Sequence, residues 1–212
     1  ISYSIAAANL CSQINEIFVS TDSKKYQEIS IKYGAKCPFL RPQKYASDKS
    51  TDYDVFLHFL EWFKSSRKQL PDLIIHLRPT SPFRSPINIE KAIKHIQNNP
   101  NSTSLRSSHI APESPYKWFK INKSYYSSFI PEISLNQTNL PRQDYPDAYV
   151  PNGYVDIIKP HVILNKQSLH GEFILPYITD FCIEIDTISE FNYAEFNASN
   201  ISRNIINYLN SI

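Results

Sequence analysis

The sequence predicts an α/β fold, doubly wound about a mostly parallel sheet, and three observations predict it. Apolar runs of strand length alternate with stripes at helical spacing along the chain. The run Leu73-Ile74-Ile75-His76-Leu77 is nearly continuous in apolar character, as a strand covered on both faces must be. A length of 212 residues with 42% hydrophobic and 20% charged residues suits one globular domain spanning 1–212.

Each element follows from its pattern. Residues 1–12 read as a helix that opens without a start methionine or a cap, as though cut in mid-domain. Glu16 to Ser20 reads as a short strand, and Asp22 as the cap of a helix reaching Tyr33, where Gly34 supplies the left-handed residue that closes helices. Lys36 to Phe39 is extended. The next helix begins near Thr51 with Val55, Phe56, Phe59, Leu60 and Phe63 on one stripe, and feeds the strand at 73–77. Ser85-Pro86 opens a third helix through Gln97, with proline at the first helical position, where its missing N–H costs nothing.

The pattern breaks over about 110–150. Trp118 to Ile121 and Tyr125 to Ile130 are short β-like runs in an aromatic-rich stretch, which reads as an inserted β-rich arm and a dimer contact. Tyr154 to Ile158 and Phe173 to Tyr177 read as strands returning to the sheet. Thr187-Ile188-Ser189-Glu190 fits a capping box and opens one last helix with Phe191, Phe196, Ile201, Ile205, Ile206 and Leu209.

Composition excludes several functions. A formal charge of +2 gives no broad basic field for nucleic acid, and no apolar run approaches the roughly 20 residues that span a bilayer, so neither partner is expected and a cytoplasmic location is. Cys11, Cys37 and Cys182 lack any metal-ligand spacing and read as reduced, buried thiols. Three glycines, far below the usual share of about 7%, leave no Gly-rich phosphate loop and no nucleophile elbow.

Two loops carry candidate chemistry. Arg78-Pro79-Thr80-Ser81-Pro82-Phe83-Arg84 follows the most apolar strand, and ligands of open α/β sheets bind beyond strand carboxyl ends. Its guanidinium groups could fork onto phosphate, carboxylate or a base edge; equally, Arg84 could cap carbonyls and Thr80-Ser81 begin a turn. Arg41 to Thr51 leaves another predicted strand for a helix N-terminus, so Arg41, Ser50 and Thr51 could hold an anionic or nucleoside group, or form an ordinary solvated loop. In Glu184-Ile185-Asp186-Thr187, alternation along a strand would point both carboxylates to one side, as a magnesium ion needs, though a cap before a helix uses the same residues.

Seven blocks together resemble one family. Val19-Ser20-Thr21-Asp22, the Arg41-Pro42 to Asp48 loop, Arg78 to Arg84, Pro115-Tyr116-Lys117-Trp118-Phe119-Lys120, Arg142-Gln143, Asn152-Gly153 and Ile185-Asp186-Thr187 occur in the order seen in acylneuraminate cytidylyltransferases, also called CMP-sialic acid synthetases. Arg78 and Asn152-Gly153-Tyr154-Val155-Asp156 resemble the branch acting on legionaminic acid. The resemblance implies a nucleotide-diphospho-sugar transferase fold and transfer of CMP from CTP to a nine-carbon α-keto acid sugar, with magnesium and release of pyrophosphate, by a homodimer. It implies Arg41, Ser50, Arg78, Thr80 and Ser81 on the cytidine side, Asp186 and Glu184 at the metal, and Lys117, Arg142, Asn152 and Gly153 toward the acidic sugar, with Asp186, Arg142 and Lys117 in the reaction itself. The family's Gly/Arg/Lys phosphate loop falls before Ile1. Rival expectations are a non-catalytic nucleotide- or sugar-binding module on the same scaffold, and a nucleotidyltransferase for another sugar, such as the eight-carbon acid of lipopolysaccharide.

Overall fold

The computed structural model describes residues 1–67 and 69–212. Helix α1 (Ser2–Asn9) encloses Ala6 and Ala7 completely, and its small side chains let it lie close on the main core. The expected strand at Glu16 to Ser20 is reduced to isolated parallel bridges, Phe18 with Lys36 and Thr21 with Leu40. Helix α2 (Lys24–Lys32) is capped by Ser23, whose hydroxyl accepts from the Tyr26 N–H, and not by Asp22. Gly34 closes it at φ +91°, as expected.

Helix α3 (Asp52–Arg67) packs Phe59, Trp62 and Phe63 around Phe18, so aromatic contacts rather than a ladder hold the 16–20 segment. Strand β1 (Ile74–His76) has both faces covered: Leu73, Ile75 and Leu77 pack on one core cluster, Ile74 on the other. Helix α4 (Pro86–Gln97) has the predicted bounds and buries Ile89, Ala92, Ile93 and Ile96. Then come β2 (Ser104–Ile110), the hairpin β3 (Phe119–Asn122) and β4 (Tyr125–Ser128), β5 (Tyr149–Ile158), α5 (Pro160–Lys166), β6 (Ile174–Ile178), α6 (Ile188–Phe196) and α7 (Arg203–Asn210).

The main sheet has the order β1-β5-β2-β6. Strands β1, β2 and β6 run in one direction and β5 runs against them. The larger core lies under α1, α4 and α7, and the smaller one lies under α3 and α5, around Phe56, Leu60, Ile158 and Ile163. The register places His76, Asp156 and Arg106 side by side across β1, β5 and β2, hence on one face of the sheet.

Between Ala111 and Ala148, joined by a backbone hydrogen bond of 2.8 Å, the chain leaves the main sheet and forms the β3–β4 hairpin, with Ile121 and Tyr125 exposed on it. The expected single last helix is two. A turn at Ala198–Asn200 separates α6 from α7, and Asn197 helps close α6 by donating to the Tyr193 carbonyl. The break turns Ile201 and Ile205 into the core and leaves Phe191 and Phe196 exposed. All three cysteines are free and buried, and no helix among the described residues is long and apolar enough to cross a membrane.

Candidate active site

The loop after β1 is built around Arg84, whose side chain is 1% exposed. Its Nε donates to the Tyr154 carbonyl. Nη1 donates to the Ser81 carbonyl and the Ser4 hydroxyl, and Nη2 to the carbonyls of Arg78 (2.6 Å) and Gly153 (2.8 Å). All five guanidinium hydrogens are thereby used. Burial lowers its pKa to about 10, which leaves it charged at neutral pH. Of the two readings open for Arg84, carbonyl capping is what the structure contains. The cation stitches the 78–84 loop to the Asn152–Gly153 turn of β5.

Along that seam five of the expected residues meet. Gly153 has φ +60°, and a Cβ there would lie 3.2 Å from both Glu184 Oε1 and Ser81 Oγ and 3.5 Å from Arg78 Cδ. Thr80 Oγ1 lies 3.5 Å from Glu184 Oε1, and the Ile185 N–H donates to the Thr80 carbonyl at 2.8 Å. The Ser81 hydroxyl is enclosed without a hydrogen-bond partner, a donor and acceptor held against the Gly153 turn. Asn152 is buried, with its amide donating to Thr179 Oγ1 and its carbonyl oxygen accepting from the Tyr154 N–H, so it shapes the wall. A cavity of about 180 Å³ opens beside this seam, lined among others by His109, Asn152, Cys182, Glu184, Glu190 and Tyr193.

Arg78 is held from two sides. Its Nη2 donates to Asp52 Oδ2 at 2.7 Å and its Nη1 to Asp156 Oδ2 at 2.9 Å. Burial would raise the Asp52 carboxyl, but the Arg78 hydrogen bond and neighbouring positive charge outweigh it and hold the pKa below the usual range. Burial likewise works against the Arg78 cation, and its two carboxylate partners more than offset this. Because Asp52 starts α3, the ion pair places the end of the 41–51 loop against the 78–84 loop, as two loops on one rim require.

The other expected residues stand apart from this seam. Arg41 reaches back to Asp22 (3.8 Å) and the Ser20 carbonyl, and Ser50 bonds Ser47 inside its own loop. Arg142 and Lys117 lie on the arm: Arg142 donates to the Ala111 carbonyl at 3.0 Å, and Lys117 Nζ lies 5.6 Å from the centre of the Tyr145 ring. The 184–186 segment is not a strand and bends at Asp186, so the expected alternation has no ladder behind it. Asp186 is exposed where the turn into α6 begins, and its N–H donates to Glu190 Oε2. The capping box at Thr187 and Glu190 is formed as predicted.

Among the described residues no group of three or more His, Cys, Asp or Glu side chains could hold a metal ion. Glu184 and Asp186 are two hard-oxygen donors, a set that fits magnesium arriving with phosphate oxygens and water rather than a protein-only cage.

Sequence reasoning missed Asp52, Asp156, Arg106, His76 and His170, which surround Arg78 with charge and imidazole. The signal was available: Asp156 interrupts the apolar run Tyr154 to Ile158, where a carboxylate needs a partner. Which cation supplied it depended on strand register.

Residues 1–197 match the family model described as "Cytidylyltransferase". The chain is 30% identical over 204 residues to the post-translational flagellin modification protein B of Campylobacter coli, covering 92% of this chain and 82% of that one. It is 29% identical over 191 residues to the CMP-N,N'-diacetyllegionaminic acid synthase of Legionella pneumophila, covering 88% and 79%. The fold is similar to that of a CMP:2-keto-3-deoxy-manno-octonic acid synthetase solved with CTP, at a TM-score of 0.66 and 14% identity, covering 94% of this chain and 87% of that one. With the loop beyond β1 seamed to the β5 turn, and the match running from α1 through α6, this chain belongs to the cytidylyltransferase family.

Proposed function

We propose that the protein transfers CMP from CTP to a nine-carbon α-keto acid sugar of the sialic or legionaminic type and releases pyrophosphate. The observation that carries this reading is the meeting of Arg78, Thr80, Ser81, Gly153 and Glu184 at one seam beyond the carboxyl end of β1, where α/β sheets bind ligands. The relative that makes a CMP-activated legionaminic acid supports the choice of sugar class. The anomeric hydroxyl of the sugar attacks the α-phosphorus in line, loses its proton, and the bond to pyrophosphate breaks.

Positioning and electrostatics supply most of such a transfer. Arg78, Thr80 and Ser81 line the cytidine side, Arg41 and Ser50 would join them only by turning out of their own loop contacts, and Asn152 and Gly153 wall the sugar. Arg142 and Lys117 bring positive charge from the arm to the acidic acceptor. Asp186 and Glu184 would hold magnesium, whose charge would offset that growing on the phosphates. The exposed aromatic arm is a homodimer contact, and the enzyme acts in the cytoplasm.

The test incubates the intact protein with CTP and magnesium, and with N-acetylneuraminic acid, N,N'-diacetyllegionaminic acid or the eight-carbon lipopolysaccharide acid in turn, and follows CMP-sugar and pyrophosphate. A CMP-activated nine-carbon product is expected. Turnover of the eight-carbon acid alone overturns the sugar class, and CTP binding without pyrophosphate release favours a non-catalytic module.

A further inference from the structure

Three charged residues outside the predicted set, Asp52, Arg106 and the buried Asp156, form an array beside Arg78. Asp156 is 1% exposed toward the C-terminal end of β5. Its Oδ2 accepts from Arg78 at 2.9 Å, while its Oδ1 has no hydrogen bond and lies 3.8 Å from Arg106 Nε, which is itself enclosed and unpartnered. On the opposite side of Arg78, Asp52 accepts at 2.7 Å from a position nearly half exposed. A carboxylate buried this deeply is a poor device for stability, because an apolar residue of similar volume does as well without the desolvation penalty.

The array gives Arg78 an unusual character. Two carboxylates share its charge, so it offers little net attraction to a polyanion such as triphosphate. Two of its five N–H groups are used by the carboxylates, and the rest remain for a ligand. Its Cδ would lie 3.5 Å from a Cβ on Gly153, so the side chain passes the seam on its way to the two carboxylates. A guanidinium fixed in direction but compensated in charge suits a neutral acceptor, such as a carbonyl or ring nitrogen of the pyrimidine, or an amide carbonyl or hydroxyl on the sugar.

We propose that Asp52 and Asp156 are positioning residues that hold Arg78 as a directional hydrogen-bond donor to a neutral acceptor of a bound substrate, not as a phosphate clamp. This rests on the reading of the seam as the substrate site.

The test uses Asp52→Asn, Asp156→Asn, Arg78→Gln and the Asp52→Asn/Arg78→Gln double variant in the intact protein. KM and kcat are measured against CTP and against the accepted sugar, with the melting temperature beside them. Asp52→Asn and Arg78→Gln are expected to raise one KM about tenfold, with kcat within about twofold. The double variant is expected to be no worse than Arg78→Gln alone, because both act through one group. Which KM moves tells base from sugar.

Unchanged KM values for both substrates, effects that multiply in the double variant, or a tenfold loss of inorganic pyrophosphate binding in Arg78→Gln would each overturn the proposal. Should Asp156→Asn fail to fold, Asp52→Asn at its partly exposed site still decides. Calorimetric binding of CTP and of the sugar to the same variants carries the same expectations in Kd. Absence of turnover in the wild type would therefore count against the cytidylyltransferase reading alone, and absence of differential binding against this one.

Discussion

The guanidinium of Arg84 and the carbonyl of Gly153 are hydrogen-bonded at 2.8 Å, and that contact joins two loops that are 69 positions apart in sequence. Everything at the seam depends on it: the glycine that admits Glu184 and Ser81, and the backbone from which Arg78 projects.

Replacing Arg84 by Lys keeps the charge and removes the fork. Carbonyls of Arg78, Ser81, Gly153 and Tyr154 would lose donors in a buried setting, at a cost of about 3–5 kcal/mol. Chemical denaturation should show this loss. A variant within about 0.5 kcal/mol of wild type would mean the stitch is dispensable.

Gly153 is the site where a single methyl separates fold from function. At φ +60° an alanine costs about 1 kcal/mol in backbone strain, and its Cβ would press on Glu184 Oε1 and Ser81 Oγ at 3.2 Å. Gly153→Ala should therefore lose more activity than its modest fall in melting temperature explains. Equal, small effects on both would show that the seam has room to spare.

The contrast between α4 and the array around Asp156 shows what was legible beforehand. Local grammar announced the bounds of α4, from Ser85-Pro86 to Gln97, and likewise the Thr187–Glu190 capping box and the Gly34 closure. The resemblance brought Arg78, Thr80, Ser81, Gly153 and Glu184 to the site. The neighbours of Arg78 could not be read, because His76, Asp156 and Arg106 become adjacent only once β5 inserts between β1 and β2. The split between α6 and α7 was hidden for another reason: Phe191 and Phe196 are as apolar as Ile201 and Ile205, although only the last two are buried.

Acid should weaken the fold above the carboxylate range. Burial keeps the His76 imidazole neutral, with its pKa lowered to about 4, and its Nδ1 is enclosed. Burial lowers the His170 and His58 values as well. The unfolded chain takes up these protons near the ordinary histidine value of about 6.5, so between that pH and about 4 it binds more protons than the native state. Stability then falls as pH falls, by up to about 1.4 kcal/mol per pH unit for His76. Denaturation midpoints measured from about pH 7 to about pH 5 should decline steadily, and His76→Gln should flatten the slope. A midpoint constant over that range would refute the assignment.

The last prediction concerns the turn that presents Asp186. Glu190 Oε2 accepts from the Asp186 N–H (2.9 Å), the Thr187 N–H (2.7 Å) and the Thr187 hydroxyl (2.9 Å), and the Thr187 hydroxyl oxygen accepts in return from the Glu190 N–H. The box thus fixes the backbone of the proposed magnesium ligand as well as the first turn of α6. Thr187→Ala should cost about 1 kcal/mol of stability, and Thr187→Ser should restore it. If Asp186 holds the ion, the magnesium concentration for half-maximal activity should rise severalfold in Thr187→Ala while kcat at saturating magnesium recovers. A stability loss with an unchanged magnesium requirement would separate the cap from the metal and leave Asp186 without that role.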